Sequence, residues 1–332
     1  MCLVALALDK SRRFPLVIAS NRDEFFRRPA ARLAWWTPHA GAPAILSGRD
    51  LESGGTWLGL TAQGRLALLT NVRGGLPIDP AAPSRGRIVP EWLAAHEPVG
   101  SFWMRTALAG HNGFNLIAAD FRQGECFWAS NAAAHPQRLE RGIYGLSNAG
   151  LDSAWPKVDA LKARLATALA EASSVDALAD ALFAALGDRH LAPVDHLPST
   201  GIPVAWEHQL SAAFIRTPDL AYGTRCSTLV ITERGGRQPV THVLERSFTA
   251  GDGVALLRRS TLRHWPPRYV ASDHADDPAQ DDGDRDRERE AAAEQSAVSE
   301  SEVAARPDAT AAPERRTRVR TLLKREPGRR TR

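Results

Sequence analysis

The sequence predicts an α+β chain built mainly from antiparallel hairpins. Apolar runs of strand length come in pairs around short polar turns. One stretch, 153 to 186, changes to helical period, and the chain beyond Ser272 carries neither period.

The first pair is Met1-Cys2-Leu3-Val4-Ala5-Leu6-Ala7-Leu8 with Leu16-Val17-Ile18-Ala19, and its returning strand ends in the tetrad Asn21-Arg22-Asp23-Glu24. Such a hairpin brings Cys2 near Asp23. Residues 25 to 48, punctuated by Pro and Gly, read as irregular chain whose Trp35 and Trp36 pack onto a sheet. A second hairpin joins Gly54–Leu60 to Gly64–Asn71 through Ala62-Gln63-Gly64. The Ser84-Arg85-Gly86-Arg87 loop has the groups to hold an anion, but without a strand-to-helix glycine fingerprint it reads as solvated chain before a short helix at 88 to 95. Phe114–Asp120 and Cys126–Asn131 form another hairpin, and Gly142–Asn148 supplies strand for a third.

Trp155, Val158, Leu161, Leu165 and Leu169, then Leu178, Leu182 and Leu186, recur at helical spacing, with Ser173 and Asp176 marking a cap between two amphipathic helices. His190, His196 and His208 near the Pro-rich connection lack metal-ligand spacing, so they read as solvated and no metal is expected. The last hairpin runs from Cys226–Thr232 to Val240–Arg246. Past Ser272 there are no aromatic residues and dense charge, the composition of a segment that cannot offset its ordering entropy by burial. That tail has an acidic block and then an Arg-rich end. With no aromatics interleaved for base stacking, it predicts no specific nucleic-acid partner.

Net charge over the 332 residues is +4, but charge is unevenly distributed along the chain, so the whole-chain value mixes two different regions. Cys2, Cys126 and Cys226 are an odd, widely spaced set that suggests neither a disulfide framework nor a zinc site. A reducing compartment follows. No basic n-region precedes the first apolar run, and no run reaches the roughly 20 residues of a membrane span. The expectation is a soluble, cytoplasmic protein without a transmembrane segment.

On composition alone Cys2 is an ordinary small core residue. What distinguishes it is that aminopeptidases remove Met1 before a small second residue, which would leave a thiol and a free α-amine on one residue. Their pKa values, about 8.5 and about 7.7 to 8.0, let the amine take the thiol proton at neutral pH with little mismatch. Asn71, Asn148 and Arg225 end other strands and are the types an acyl-transfer site needs: amide donors for an oxyanion and a guanidinium for a thiolate or carboxylate.

Met1-Cys2, the tetrad at 21 to 24, Gly54–Gly59, Leu69–Arg73, Gly113–Leu116, Gly145–Asn148 and Gly223–Thr228 together resemble the NRDE family, named for that tetrad and known also as the transport-and-Golgi-organisation type. The resemblance implies an N-terminal-nucleophile hydrolase-like fold: a four-layer α-β-β-α sandwich of two antiparallel sheets over residues 1–265, with a disordered charged tail over 266–332. It extends to the cysteine acylases of that fold. Cys2 resembles their nucleophile, Asp23 the aspartate that holds the α-amine, Asn148 and Asn71 the oxyanion asparagines, and Arg225 the arginine before a late strand. Asn21, Arg22, Glu24 and Trp57 become the substrate-contacting candidates. One departure stands out: those acylases place an arginine three residues before the aspartate, where this chain has Ser20. Because neighbouring strand residues face opposite sides, Arg22 does not obviously replace it.

Two functions compete. In the first, Cys2 attacks an amide or acyl substrate as a C–N hydrolase or acyltransferase that requires no cofactor. In the second, implied by the family, the same cleft carries haem, lipid or acyl-coenzyme A for secretory-pathway organisation, with Cys2 as a thiolate ligand to haem.

Overall fold

The computed structural model describes residues 2–74, 78–236, 238–251 and 256–269. From residue 270 on, the tail expected at 266–332 lies outside the described residues.

In chain order, β1 (Cys2–Leu8) and β2 (Leu16–Phe25) form the predicted first hairpin, followed by β3 (Ala30–Trp36), β4 (Ile45–Asp50), β5 (Leu58–Thr61) and β6 (Arg65–Asn71). A 3-10 turn at Arg85–Arg87 leads into α1 (Ile88–Ala94) and α2 (Val99–Ala107). Next come β7 (Phe114–Asp120), β8 (Glu125–Ser130), β9 (Gln137–Arg138) and β10 (Gly142–Leu146). The helical stretch resolves into α3 (Pro156–Glu171) and α4 (Val175–Leu186), with a short α5 (Val204–Gln209) in the Pro-rich connection. The chain closes with β11 (Tyr222–Arg234), β12 (Pro239–Ser247) and β13 (Leu256–Arg263).

All pairings are antiparallel, in two sheets ordered β10-β1-β2-β11-β12-β13 and β3-β4-β5-β6-β7-β8-β9. Strand alternation sets the layers. Val4, Leu6, Leu8 and Ile18 face Leu60, Leu66 and Ile117 between the sheets, whereas Leu3, Ala5 and Val17 face Leu161 and Leu182 of α3 and α4. On the far side, Ile88 and Trp92 of α1 and Phe102 of α2 cover Ala67, Leu69 and Leu116. The result is the four-layer α-β-β-α sandwich. β1 reads as an uninterrupted apolar run because both its faces are covered.

Several expectations change. Residues 25 to 48 are not irregular. They carry β3 and β4, and Trp36 donates its Nε1–H to Ser47 Oγ at 2.7 Å. β3 is an edge strand, largely exposed, so it lacks the alternation that marks a strand in sequence. The same is true of β13, whose Leu256 and Leu257 are exposed. Residues 142 to 146 do not hairpin with the preceding strands but cross to pair with β1. The cap of α4 is Ser174, one residue later than expected, accepting from Ala177 N. Packing also continues past 265, since Tyr269 lies in the inter-sheet core beside Trp265. No helix among the described residues is long and apolar enough to cross a membrane.

Candidate active site

The register of the first hairpin decides which side chains share a face. Cys2 pairs with Arg22, and Arg22 pairs on its other side with Cys226. Continuing the alternation from Leu16 and Ile18 puts Arg22 and Glu24 on the inter-sheet side with Cys2; Asn21 and Asp23 turn toward the helices. At this end the sheets leave a cleft of about 180 Å³ lined by Cys2, Arg22, Asp23, Glu24, Trp57 and Asn71, among others.

Arg22 forms one wall. Its guanidinium lies over the Trp57 ring at 4.3 Å and donates through Nη2 to Asp50 Oδ2 at 2.8 Å. Asp50 also accepts from Arg28 Nε at 2.7 Å and from the backbone N–H groups of Glu52 and Ser53. Burial alone would raise the Asp50 carboxyl, but the Arg28 and Ser53 hydrogen bonds with both guanidiniums outweigh it and hold it below its ordinary value. Burial pushes the Cys2 thiol up, against the lowering pull of Arg22.

Ser84, Arg85 and Gly86 line the cleft as well, so the loop expected to be solvated is one of its walls. Arg85 Nη1 donates to Gly113 O at 2.8 Å, and Thr56 N donates to Gly86 O at 3.0 Å. The approach depends on Gly55, where an added Cβ would stand 2.0 Å from Gly86 O. Because that neighbour is backbone, Gly55→Ala is expected to displace the loop at a cost of about 1–3 kcal/mol and to alter Cys2 labelling. Thermal unfolding with alkylation kinetics checks this, and a variant matching the parent in both would refute it.

Asp23 is buried, accepts from Thr224 Oγ1 at 2.7 Å through Oδ1, and receives the Tyr222 hydroxyl on its carbonyl at 3.0 Å. Burial raises its pKa, and the opposing pull of Lys157, on α3, does not offset it. Asn148 is fully buried. Its Nδ2 donates to Asn71 O at 2.7 Å, and Ser147 Oγ donates to Cys2 O at 3.0 Å, so this segment ties β1 to the end of β6. Asn71 is the asparagine that reaches the cleft lining.

Two expected contacts go elsewhere. Asn21 donates to Leu186 O and Ala213 O, both at 2.8 Å, and accepts from Ser227 Oγ at 2.6 Å. It fastens the helix layer. Arg225 sits at the β-bulge between Thr224 and Cys226, and its Nη1 donates to Phe25 O and Arg28 O at 2.7 Å, bracing the chain after the tetrad. Arg28, Asp50, Arg85 and Lys157 were not among the sequence candidates. Only Arg85 carried a local signal, its Gly-Arg loop.

The fit of haem can be judged from the cleft itself. Its volume lies below the roughly 300–1,000 Å³ of typical cofactor pockets. Asp23, Glu24 and Asp50 oppose Arg22, Arg28 and Arg85 around it, where a porphyrin face needs apolar surface. The residues present do not fit haem. Among the described residues no His, Cys, Asp and Glu cluster has metal-binding geometry.

The model of the family described as Transport and Golgi organisation 2 matches residues 1–250. The Transport and Golgi organization protein 2 homolog of Bos taurus is 33% identical over 274 residues, covering 76% of this chain and 95% of its own. The Homo sapiens homolog is 31% identical over 290 residues, covering 81% and 97%. Among solved structures, a Caenorhabditis elegans N-acylethanolamine-hydrolyzing acid amidase ortholog aligns with a TM-score of 0.39 and 11% identity over 69% of this chain and 92% of its own. A C2A mutant of the conjugated bile acid hydrolase from Clostridium perfringens aligns at 0.35 and 11% over 83% and 100%. By the match over residues 1–250 and the identity to these homologs, the chain belongs to the Transport and Golgi organisation 2 family.

Proposed function

We propose that the protein is a cysteine-nucleophile C–N hydrolase or acyltransferase acting on a small amide or acyl group. The observation that carries this reading is that Cys2, Asp23, Arg22 and Asn71 line one cleft. With Met1 removed, the Cys2 α-amine takes the thiol proton and the thiolate attacks the substrate carbonyl carbon. The Asn71 amide stabilises the resulting oxyanion, and Asn148 holds the Asn71 backbone in place. Collapse of the intermediate breaks the C–N bond, and the leaving amine takes the proton from the α-ammonium. Water, or an acceptor, then gives a proton to the α-amine and attacks the Cys2 thioester carbonyl, the C–S bond breaks to release the acyl group, and the α-ammonium returns the proton to the Cys2 thiolate. Asp23 orients the amine, and Arg22 supports the thiolate or a carboxylate on the substrate.

The second reading, a carrier in the secretory-pathway role that the relatives' names suggest, draws little from this cleft where haem is concerned. An acyl-coenzyme A or lipid ligand would enter by its polar end. The three cysteines are buried and unpaired, in keeping with a reducing, cytoplasmic setting.

Intact mass of the purified full-length protein, before and after a small thiol-reactive acyl probe, tests the proposal. The expected result is a chain without Met1 that takes up one probe, with labelling abolished in Cys2→Ala. Retained Met1, or labelling confined to Cys126 or Cys226, would sink it and turn attention to acyl-coenzyme A binding.

A further inference from the structure

We propose that the substrate of this cleft is an amide or acyl compound bearing a carboxylate, and that Arg85, with the hydroxyls of Ser53 and Ser84, selects it for that charge. That the bound compound is a substrate rests on the nucleophile reading above.

The lining holds three arginines and three carboxylates, so their sum does not fix the sign of the ligand. Their pairing does. Asp50 is filled, accepting from Arg22, Arg28 and the N–H groups of Glu52 and Ser53. Arg28 also turns its Nη1 to Glu52 at 2.5 Å. Asp23 bonds Thr224 on the helix side of the sheet. Glu24 accepts from Phe25 N at 2.8 Å and forms no ion pair with Arg85 among the described residues.

Arg85 is therefore the cation of the lining that lacks a carboxylate. Its Nη1 donates to a neutral acceptor, Gly113 O, at 2.8 Å. A guanidinium is a planar fork of N–H donors that matches a carboxylate, so most of this one is left for a ligand. Burial lowers the Arg85 pKa against the pull of Glu24, as befits a cation short of a counter-ion. Arg22 adds to the same wall, with its Nη1 buried and without a hydrogen-bond partner among the described residues.

Two hydroxyls complete the set. A Cβ added at Gly86 would stand 3.1 Å from Ser53 Oγ and 3.5 Å from Ser84 Oγ, so both converge beside the residue that follows Arg85. Ser84 Oγ accepts from Gly86 N at 3.3 Å, which leaves its own proton to donate. Ser53, Ser84, Arg85 and Cys2 line one cleft of about 180 Å³, so a short compound held here by its anionic end keeps its remaining atoms in the nucleophile's cleft.

The test uses the full-length Cys2→Ala protein, which binds without turnover, and two pairs of small amides: N-acetylglycine against N-acetylglycinamide, and succinamate against succinamide. The first pair carries its carboxylate on the amine side of the amide, the second on the acyl side. Dissociation constants are read by ligand-detected NMR. In at least one pair the charged member should bind about tenfold tighter, the scale of a charge-assisted hydrogen bond. Adding Arg85→Met should remove that preference, and adding Arg85→Lys, which keeps the charge without the fork, should lower it.

Equal binding of both members in both pairs overturns the proposal before any Arg85 variant is made. An Arg85→Met protein that weakens both members alike overturns it too, because Arg85 then braces the loop against Gly113 and nothing more. Where Arg85→Met fails to fold, Arg85→Lys decides, and an undiminished preference there is fatal. Failure of the nucleophile reading shows separately, as absence of Cys2 labelling by the acyl probe in the parent. An anion preference found without that labelling would place a carboxylate ligand in the cleft and refute its being a substrate.

Discussion

Asp50→Ala is expected to destabilise the protein by about 3–5 kcal/mol, the cost of leaving a buried charge without its partner. Arg22 is 5% exposed, and its Nη2 bond to Asp50 is the ion pair that compensates it. The substitution also removes an acceptor from Arg28 and from the N–H groups of Glu52 and Ser53, so the wall of the cleft loosens with the core. Urea unfolding measures the loss. In the double variant with Arg22→Met much of it should return, and a double variant as unstable as the two single losses added together would show that the pair is not coupled.

The pH dependence has a definite sign. The Asp50 carboxyl is held below its ordinary value in the folded chain. Its contribution is therefore fully present above the unfolded value of about 3.9 and is lost as pH falls through the lower folded value. The parent should lose this increment at acid pH, and Asp50→Ala should lack it.

Asn21→Ala comes next in size, at about 3 kcal/mol or more. It strips the hydrogen bonds from two buried carbonyls, Leu186 O and Ala213 O, and from the Ser227 hydroxyl, each worth about 1–3 kcal/mol when a buried group is left unsatisfied. The loss should appear in unfolding free energy. A variant of parental stability with weakened substrate binding would return Asn21 to the cleft and contradict the geometry.

Within one tetrad, then, two neighbours do different work, and strand alternation is the reason. The sequence places all four residues together. Only the register, with Cys2 opposite Arg22, tells that Arg22 and Glu24 face the cleft while Asn21 faces the helices. Asp23, turned to the helix side, still reaches the cleft, and its Oδ1 accepts from Thr224 Oγ1, on a strand far away in the chain. Asp50 was equally hidden. It ends a strand whose pairing with an exposed edge strand blurred the apolar alternation.

The sequence by itself determined the hairpins around Cys2 and Asn71, the helix pair of 153 to 186, the cysteine at the head of the first strand and the family. These are local matters of period, turn chemistry and motif. Tertiary structure alone decided that residues 142 to 146 would cross to β1, that Gly55 would admit the Ser84–Gly86 loop to the cleft, and that Thr224 would meet the Asp23 carboxylate. Those facts depend on contacts between segments distant in the chain, and local propensity carries no record of which distant partner will be the one to cover a face or balance a buried charge.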